Sequence, residues 1–170
     1  MFSSKATKQC LLLLQQTANI YLAPAVAGDF ASTNPRQANV GPEGGFVASS
    51  SGVTVGCFAW IYTDGLSINS TGSGVPDGFV HRENNALITT YLAETSSTVA
   101  QGFPVAMFRT GDFFVKSTVG AAVKGNKAFA KLTDGTIQFA AAGATVSGFI
   151  ETAFTCTRAC LVNELAVMSL

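Results

Sequence analysis

The sequence predicts an all-β fold, a small β-barrel or β-sandwich of short antiparallel strands preceded by a short N-terminal arm or helix. Three observations carry that expectation. Residues 53–62 (VTVGCFAWIY) alternate with period two. Asp-Gly pairs at 64–65 and 134–135 punctuate apolar runs as hairpin turns do. Short strand-like runs recur with Gly-, Ser- or Asn-rich breaks roughly every 8–12 residues. The expected organisation is an arm over residues 1–20 and a single β domain over 21–170.

In chain order, residues 1–14 hold Lys5 and Lys8 and then Leu11, Leu12, Leu13 and Leu14. The apolar stretch is too short for a secretory core, which needs roughly 7–15 residues, and Gln15 and Gln16 end it. The reading is an arm whose apolar patch covers one end of the core or binds a neighbouring subunit. Residues 28–45, rich in Gly, Pro and Asn, read as a surface loop. In 53–61, Val53, Val55, Cys57, Ala59 and Ile61 share one face and Thr54, Gly56, Phe58 and Trp60 the other, with Tyr62 continuing the second set. Both faces are largely apolar, as in a strand covered on both sides, by its own domain or by a partner.

Residues 67–78 (SINSTGSGVPDG) read as a loop. Residues 79–92 give two short strands about Glu83-Asn84-Asn85, and 96–102 a polar connection. Strands follow at 103–108, 112–116, 127–132, 136–141, 145–156 and 161–168. Phe129 falls on the same face as Lys127 and Lys131, the solvent face if Ala128, Ala130 and Leu132 line the core.

Composition limits the function. Ten Lys+Arg balance ten Asp+Glu in 170 residues, and charged residues are only 12% of the chain. A nucleic-acid binder needs a basic face, which this balance does not favour. No apolar run reaches the roughly 18 residues of a membrane span. Low charge with 48% hydrophobic residues leaves much apolar surface to cover, some of it against other protein.

Candidate chemistry is sparse. His81 is the one histidine, in Phe79-Val80-His81-Arg82-Glu83, with no Ser or Cys placed by motif as a nucleophile. Cys10, Cys57, Cys156 and Cys160 lack zinc-ligand spacing. On one strand Cys156 and Cys160 would sit about 13 Å apart, too far for a disulfide. All four read as small buried hydrophobes of a reducing cytoplasm. Asp29, Asp64, Asp77, Asp112 and Asp134 lie beside glycine and read as turn-formers. Residues 72–78 lack the Lys-Ser/Thr ending of a phosphate loop. No cofactor, metal or catalytic residue is expected.

Thirteen phenylalanines stand out. They fill a core, or one set forms a subunit contact, since aromatics concentrate at interface centres. The candidate contact residues are Lys5, Lys8, Leu11, Leu12 and Leu14 of the arm, the stripe Phe58, Trp60 and Tyr62, and the pair Phe113 and Phe114, of which one must point in and one out.

The order of segments resembles the structural cement, or capsid decoration, proteins of tailed bacteriophages. Leu22–Arg36, Val53–Ile61, Gly78–Ser117, Lys127–Ala140 and Ser147–Thr152 carry the likeness. Within them Gly111-Asp112-Phe113 opens one strand, and Lys127-Ala128-Phe129 leads to the Asp134-Gly135 hairpin. The likeness spans roughly residues 20–170. It implies a non-enzymatic virion protein made in the bacterial cytoplasm. Such a protein binds the outside of the shell, contacts the major capsid protein and self-associates as a homotrimer or homodimer. Two other readings remain at this point: a tail or baseplate component, and a β-barrel that binds a glycan or other ligand, with Trp60 as the aromatic platform.

Overall fold

The computed structural model describes residues 25–91 and 97–170. Fifteen strands lie within them, and the sole helical element is a 3-10 turn at Pro42–Gly44. A seven-stranded sheet contains β1 (Gln37–Asn39), β2 (Phe46–Ala48), β4 (Phe58–Ile61), β5 (Ser67–Asn69), β6 (Gly78–Val80), β9 (Pro104–Val105) and β10 (Met107–Thr110), in the order β1-β10-β6-β4-β5-β2-β9. A five-stranded sheet contains β11 (Asp112–Lys116), β12 (Lys127–Lys131), β13 (Ile137–Ala140), β14 (Phe149–Arg158) and β15 (Leu165–Ser169), in the order β11-β15-β14-β12-β13. A three-stranded sheet joins β3 (Val53–Thr54), β7 (Ala86–Ile88) and β8 (Ser97–Val99) in the order β3-β8-β7. All pairings are antiparallel except β2 with β5. The architecture is a β-sandwich, with no closed barrel among the described residues.

Strand β4 shows why. Phe58 and Trp60 point into one core with Phe113, Val115, Phe139, Phe154 and Met168, between the seven- and five-stranded sheets. Ala59 points the other way, into a second core with Phe46, Val53, Ile68, Val99 and Met107. The apolar character of both faces is thus used up within the chain.

At the centre of the first core Phe113 is fully buried, its ring 4.6 Å from Phe79, 5.5 Å from Phe30, 5.9 Å from Phe108 and 6.2 Å from Phe154. Backbone bonds also tie the sheets together. Phe58 N donates to Gly135 O (2.9 Å) and Gly72 N to Leu132 O (3.0 Å).

Several expectations need correction. Residues 67–69, read as loop, form β5, with Ile68 fully buried between β4 and β2. Polar neighbours hide a single buried Ile from any alternation test, and tertiary pairing decides the strand. Residues 37–39, also within an expected loop, form the edge strand β1. The two short strands expected about Glu83-Asn84-Asn85 both form, as β6 and β7, and they belong to different sheets.

Phe129 is buried (1% exposed), not on a solvent face. Topology supplies the reason. Strands β13 and β14 flank β12, both antiparallel to it, with Ala140 beside Lys127 and Phe149 beside Lys131. Residues 141–148 therefore cross back over β12. Gly143 N on that crossover donates to Glu151 Oε2 (2.8 Å), and Glu151 is the register partner of Phe129. The crossover covers the face that two lysines had marked as wet.

Three of the five aspartates reach beyond a turn: Asp29 pairs with Arg82, Asp77 Oδ2 accepts from Ile61 N (2.8 Å), and Asp112 gathers donors from two distant segments. Its carboxylate accepts from the Ser169 hydroxyl, from Ser32 Oγ (2.5 Å) and from Asn34 Nδ2 (2.7 Å). The Ser169 bond first, then Ser32, holds its pKa below the usual carboxylate value. A folded-state pKa below the unfolded one stabilises above the unfolded value, about 3.9, and that contribution is lost as pH falls through the folded value. Asp112→Asn is therefore expected to lower the melting temperature at pH 7. The gap from wild type should close progressively as pH falls below about 4. Melting curves across that range check it, and a gap unchanged with pH contradicts it.

Candidate functional site

The candidates to place are the single histidine, the cysteines and the expected contact residues. His81 is held structurally. Its ring stacks on Phe30 (3.9 Å between centroids, 22° interplanar), and Nδ1 lies 2.7 Å from Gly28 O, so Nδ1 carries the proton and donates. The Arg36 guanidinium covers Phe30 at 3.9 Å. Among the described residues, no group of three or more His, Cys, Asp or Glu side chains is placed to hold a metal ion. Cys57 and Cys156 are buried, whereas Cys160 is only half-buried, contrary to the expectation for all four; Cys10 lies outside the described residues. Burial first, and the Asp134 charge second, push the Cys57 thiol up to about 12. It is protonated and inert at neutral pH.

The expected contact residues divide. Lys5, Lys8, Leu11, Leu12 and Leu14 lie outside the described residues. Phe58, Trp60 and Phe113 are spent in the core at 1%, 6% and 0% exposure, so they offer nothing to a partner of the folded chain. Trp60 is further locked by its Nε1 donating to Gly74 O (3.0 Å) and by Gly72, where any Cβ would collide with the indole. The period-two stripe was read correctly. Within the folded chain the second sheet covers it. Tyr62, one residue past the end of β4, stays 55% exposed, and Phe114, opposite in phase to Phe113, is half-buried.

An apolar patch that the sequence reading missed lies at one end of the five-stranded sheet. Val119, Val123, Leu161 and Val162 are all exposed. They sit on two loops clamped to each other by Ala122 N to Cys160 O (2.9 Å) and Cys160 N to Ala122 O (3.2 Å). A second exposed set, Leu87 and Ile88, lies on the edge strand β7, followed by Tyr91. Leu161, Val162, Leu87 and Ile88 fell within expected strands, and residues 118–126 carried no assignment, so the sequence did not mark these side chains as exposed.

Comparison with known families places the chain as a whole. The family model described as XM1 gp53 minor capsid protein matches residues 14–170, nearly the whole chain. The chain belongs to this minor capsid protein family. Comparison of the sequence with curated proteins finds no match. Among solved structures, a chain in the capsid of Myoviridae phage XM1 superposes with a TM-score of 0.60 at 18% identity, covering 91% of this chain and 97% of that one. At that identity the likeness speaks for the fold. Membership in the family makes this a structural protein of a phage virion, in keeping with its all-β scaffold.

Proposed function

We propose that this minor capsid protein acts as a cement. It binds the outer surface of the assembled head and bridges adjacent major capsid subunits as a homotrimer or homodimer. The observation that carries the reading is the end patch of Val119, Val123, Leu161 and Val162 on a chain of zero net formal charge, within a capsid-protein family. Backbone bonds clamp its loops, so docking needs little ordering. The arm leucines Leu11, Leu12 and Leu14, with Lys5 and Lys8, and the half-buried Phe114 are further contacts in this reading. A ligand that binds only the assembled state stabilises it by mass action. An oligomer reaching several subunits multiplies weak contacts through effective concentration.

The test uses heads lacking the protein. Adding it is expected to raise their disruption temperature saturably. The double variant Val123→Asp/Leu161→Asp is expected to bind at least about tenfold more weakly while keeping its own melting temperature, because both side chains are already in solvent. Binding without thermal protection contradicts cementing. Equal binding by the double variant removes the patch from the interface.

A further inference from the structure

One cleft has the chemistry of a ligand site. It lies where the turn after β4 meets the loop after β2, occupies about 430 Å³, and is lined by Val47, Ser49, Tyr62, Asp64, Asn69 and Gln101 among others. Its frame is backbone-bonded: Ser49 N to Ile68 O (2.9 Å), Tyr62 N to Ser67 O (2.7 Å), Val47 N to Leu66 O (3.1 Å) and Gly102 N to Ala48 O (2.9 Å). Behind its lining, Ser49 Oγ is buried and has no hydrogen-bond partner among the described residues.

We infer that this cleft binds a neutral saccharide, with a pyranose ring lying against Tyr62 and its hydroxyls exchanging hydrogen bonds with Asp64, Asn69 and Gln101. Three features select that class. Tyr62 presents a large exposed aromatic surface beside exposed Val47, a platform for the C–H face of a sugar. The polar lining mixes hydroxyl, amide and carboxylate groups, matching hydroxyls that both donate and accept. Among the described residues no Lys or Arg lines the cleft, and the one charged group there is the Asp64 carboxylate. Phosphates and other anions are therefore repelled. Asp64 is fixed as an ionised acceptor: Ser67 Oγ, Ser67 N (2.8 Å) and Leu66 N (2.9 Å) donate to it, and these bonds lower its pKa. Three of its roughly four lone-pair sites are occupied, leaving one for a ligand hydroxyl. The Trp60 platform expected from sequence is buried; the next residue of the same stripe, Tyr62, takes its place.

The test is independent of shell binding. The isolated full-length protein, labelled with ¹⁵N, is titrated with methyl α-D-glucopyranoside, methyl α-D-mannopyranoside, methyl β-D-galactopyranoside and N-acetylglucosamine. At least one is expected to give saturable shifts at the amides of Ser49–Ser51, Tyr62, Ser67 and Asn69, with a Kd on the order of 1–10 mM. Tyr62→Ala is expected to weaken binding about tenfold or more, and Tyr62→Phe to leave it within about threefold. Asp64 also orders its own turn, so it is not the diagnostic variant. No saturable shift with any of the four, shifts mapping elsewhere, or Tyr62→Ala binding like wild type overturns the proposal, whatever the heads do.

Discussion

Gly135→Ala is expected to abolish the soluble fold or lower its melting temperature by more than about 10 °C. Gly135 adopts φ +69° in the turn between β12 and β13. A Cβ there would stand 1.9 Å from Phe58 O and 2.9 Å from Phe58 C. Both atoms are backbone of a core strand, so no rotamer change relieves the overlap. The hairpin must retreat, and retreat breaks the Phe58 N to Gly135 O bond that ties the two sheets. Gly65 supplies the control. It has φ +70° and nothing within 4 Å of its Cβ position. Gly65→Ala therefore meets only the left-handed conformational cost, about 1–2 kcal/mol, or a few degrees in a chain of this size. Two glycines of the same backbone geometry thus separate conformational cost from close approach. Equal losses at both sites would show that the contact with Phe58 contributes nothing.

The same position shows how much of the molecule is legible in its sequence. Asp134-Gly135 marks a hairpin, and the hairpin forms. Asp134 Oδ1 accepts from Thr136 N (3.0 Å) as a turn-forming aspartate does. Local chemistry does not say that this turn docks on Phe58, a residue distant in sequence, and the glycine is required for that docking. Alternation over 53–62 placed Phe58 and Trp60 on one face correctly but could not say whether a sheet or a partner covers it. Phe129 failed for the same reason, because its cover is a crossover set by strand order. The candidate surfaces were the least legible part. Val119, Val123, Leu161 and Val162 come together through the Ala122–Cys160 bridge, and the saccharide cleft joins residues 47–51, 62–69 and 101–102 through β2, β5 and the turns beside them. The segment order that resembles cement proteins reached the virion before any geometry did. Family membership bears out a capsid-associated protein.

Phe113→Ala is expected to cost about 3–5 kcal/mol, a large part of the stability of a domain this size. Phe113 is fully buried, and its ring meets Phe79 and Phe108 of one sheet, Phe154 of the other, and Phe30 of the chain that seals their edge. Truncation removes buried apolar area and leaves a cavity. Collapse is resisted because β11 is held on one side by β15 and on the other by the Phe30 bridge, Gly28 N to Phe114 O and Ala31 N to Asp112 O. Four aromatic neighbours also lose their edge or face contacts, each worth about 0.5–1.5 kcal/mol beyond area. Phe114→Ala, one residue along and on the half-exposed face, is expected to cost only about 1 kcal/mol. Denaturant midpoints of the two variants at constant m-value measure the difference directly. A larger loss for Phe114→Ala would reverse the assignment of inside and outside on β11. It would move the core off the sheet interface. With the expected order, Phe114 is the one of the pair free to meet a capsid subunit, so Phe114→Ala should weaken head binding at temperatures where the variant stays folded.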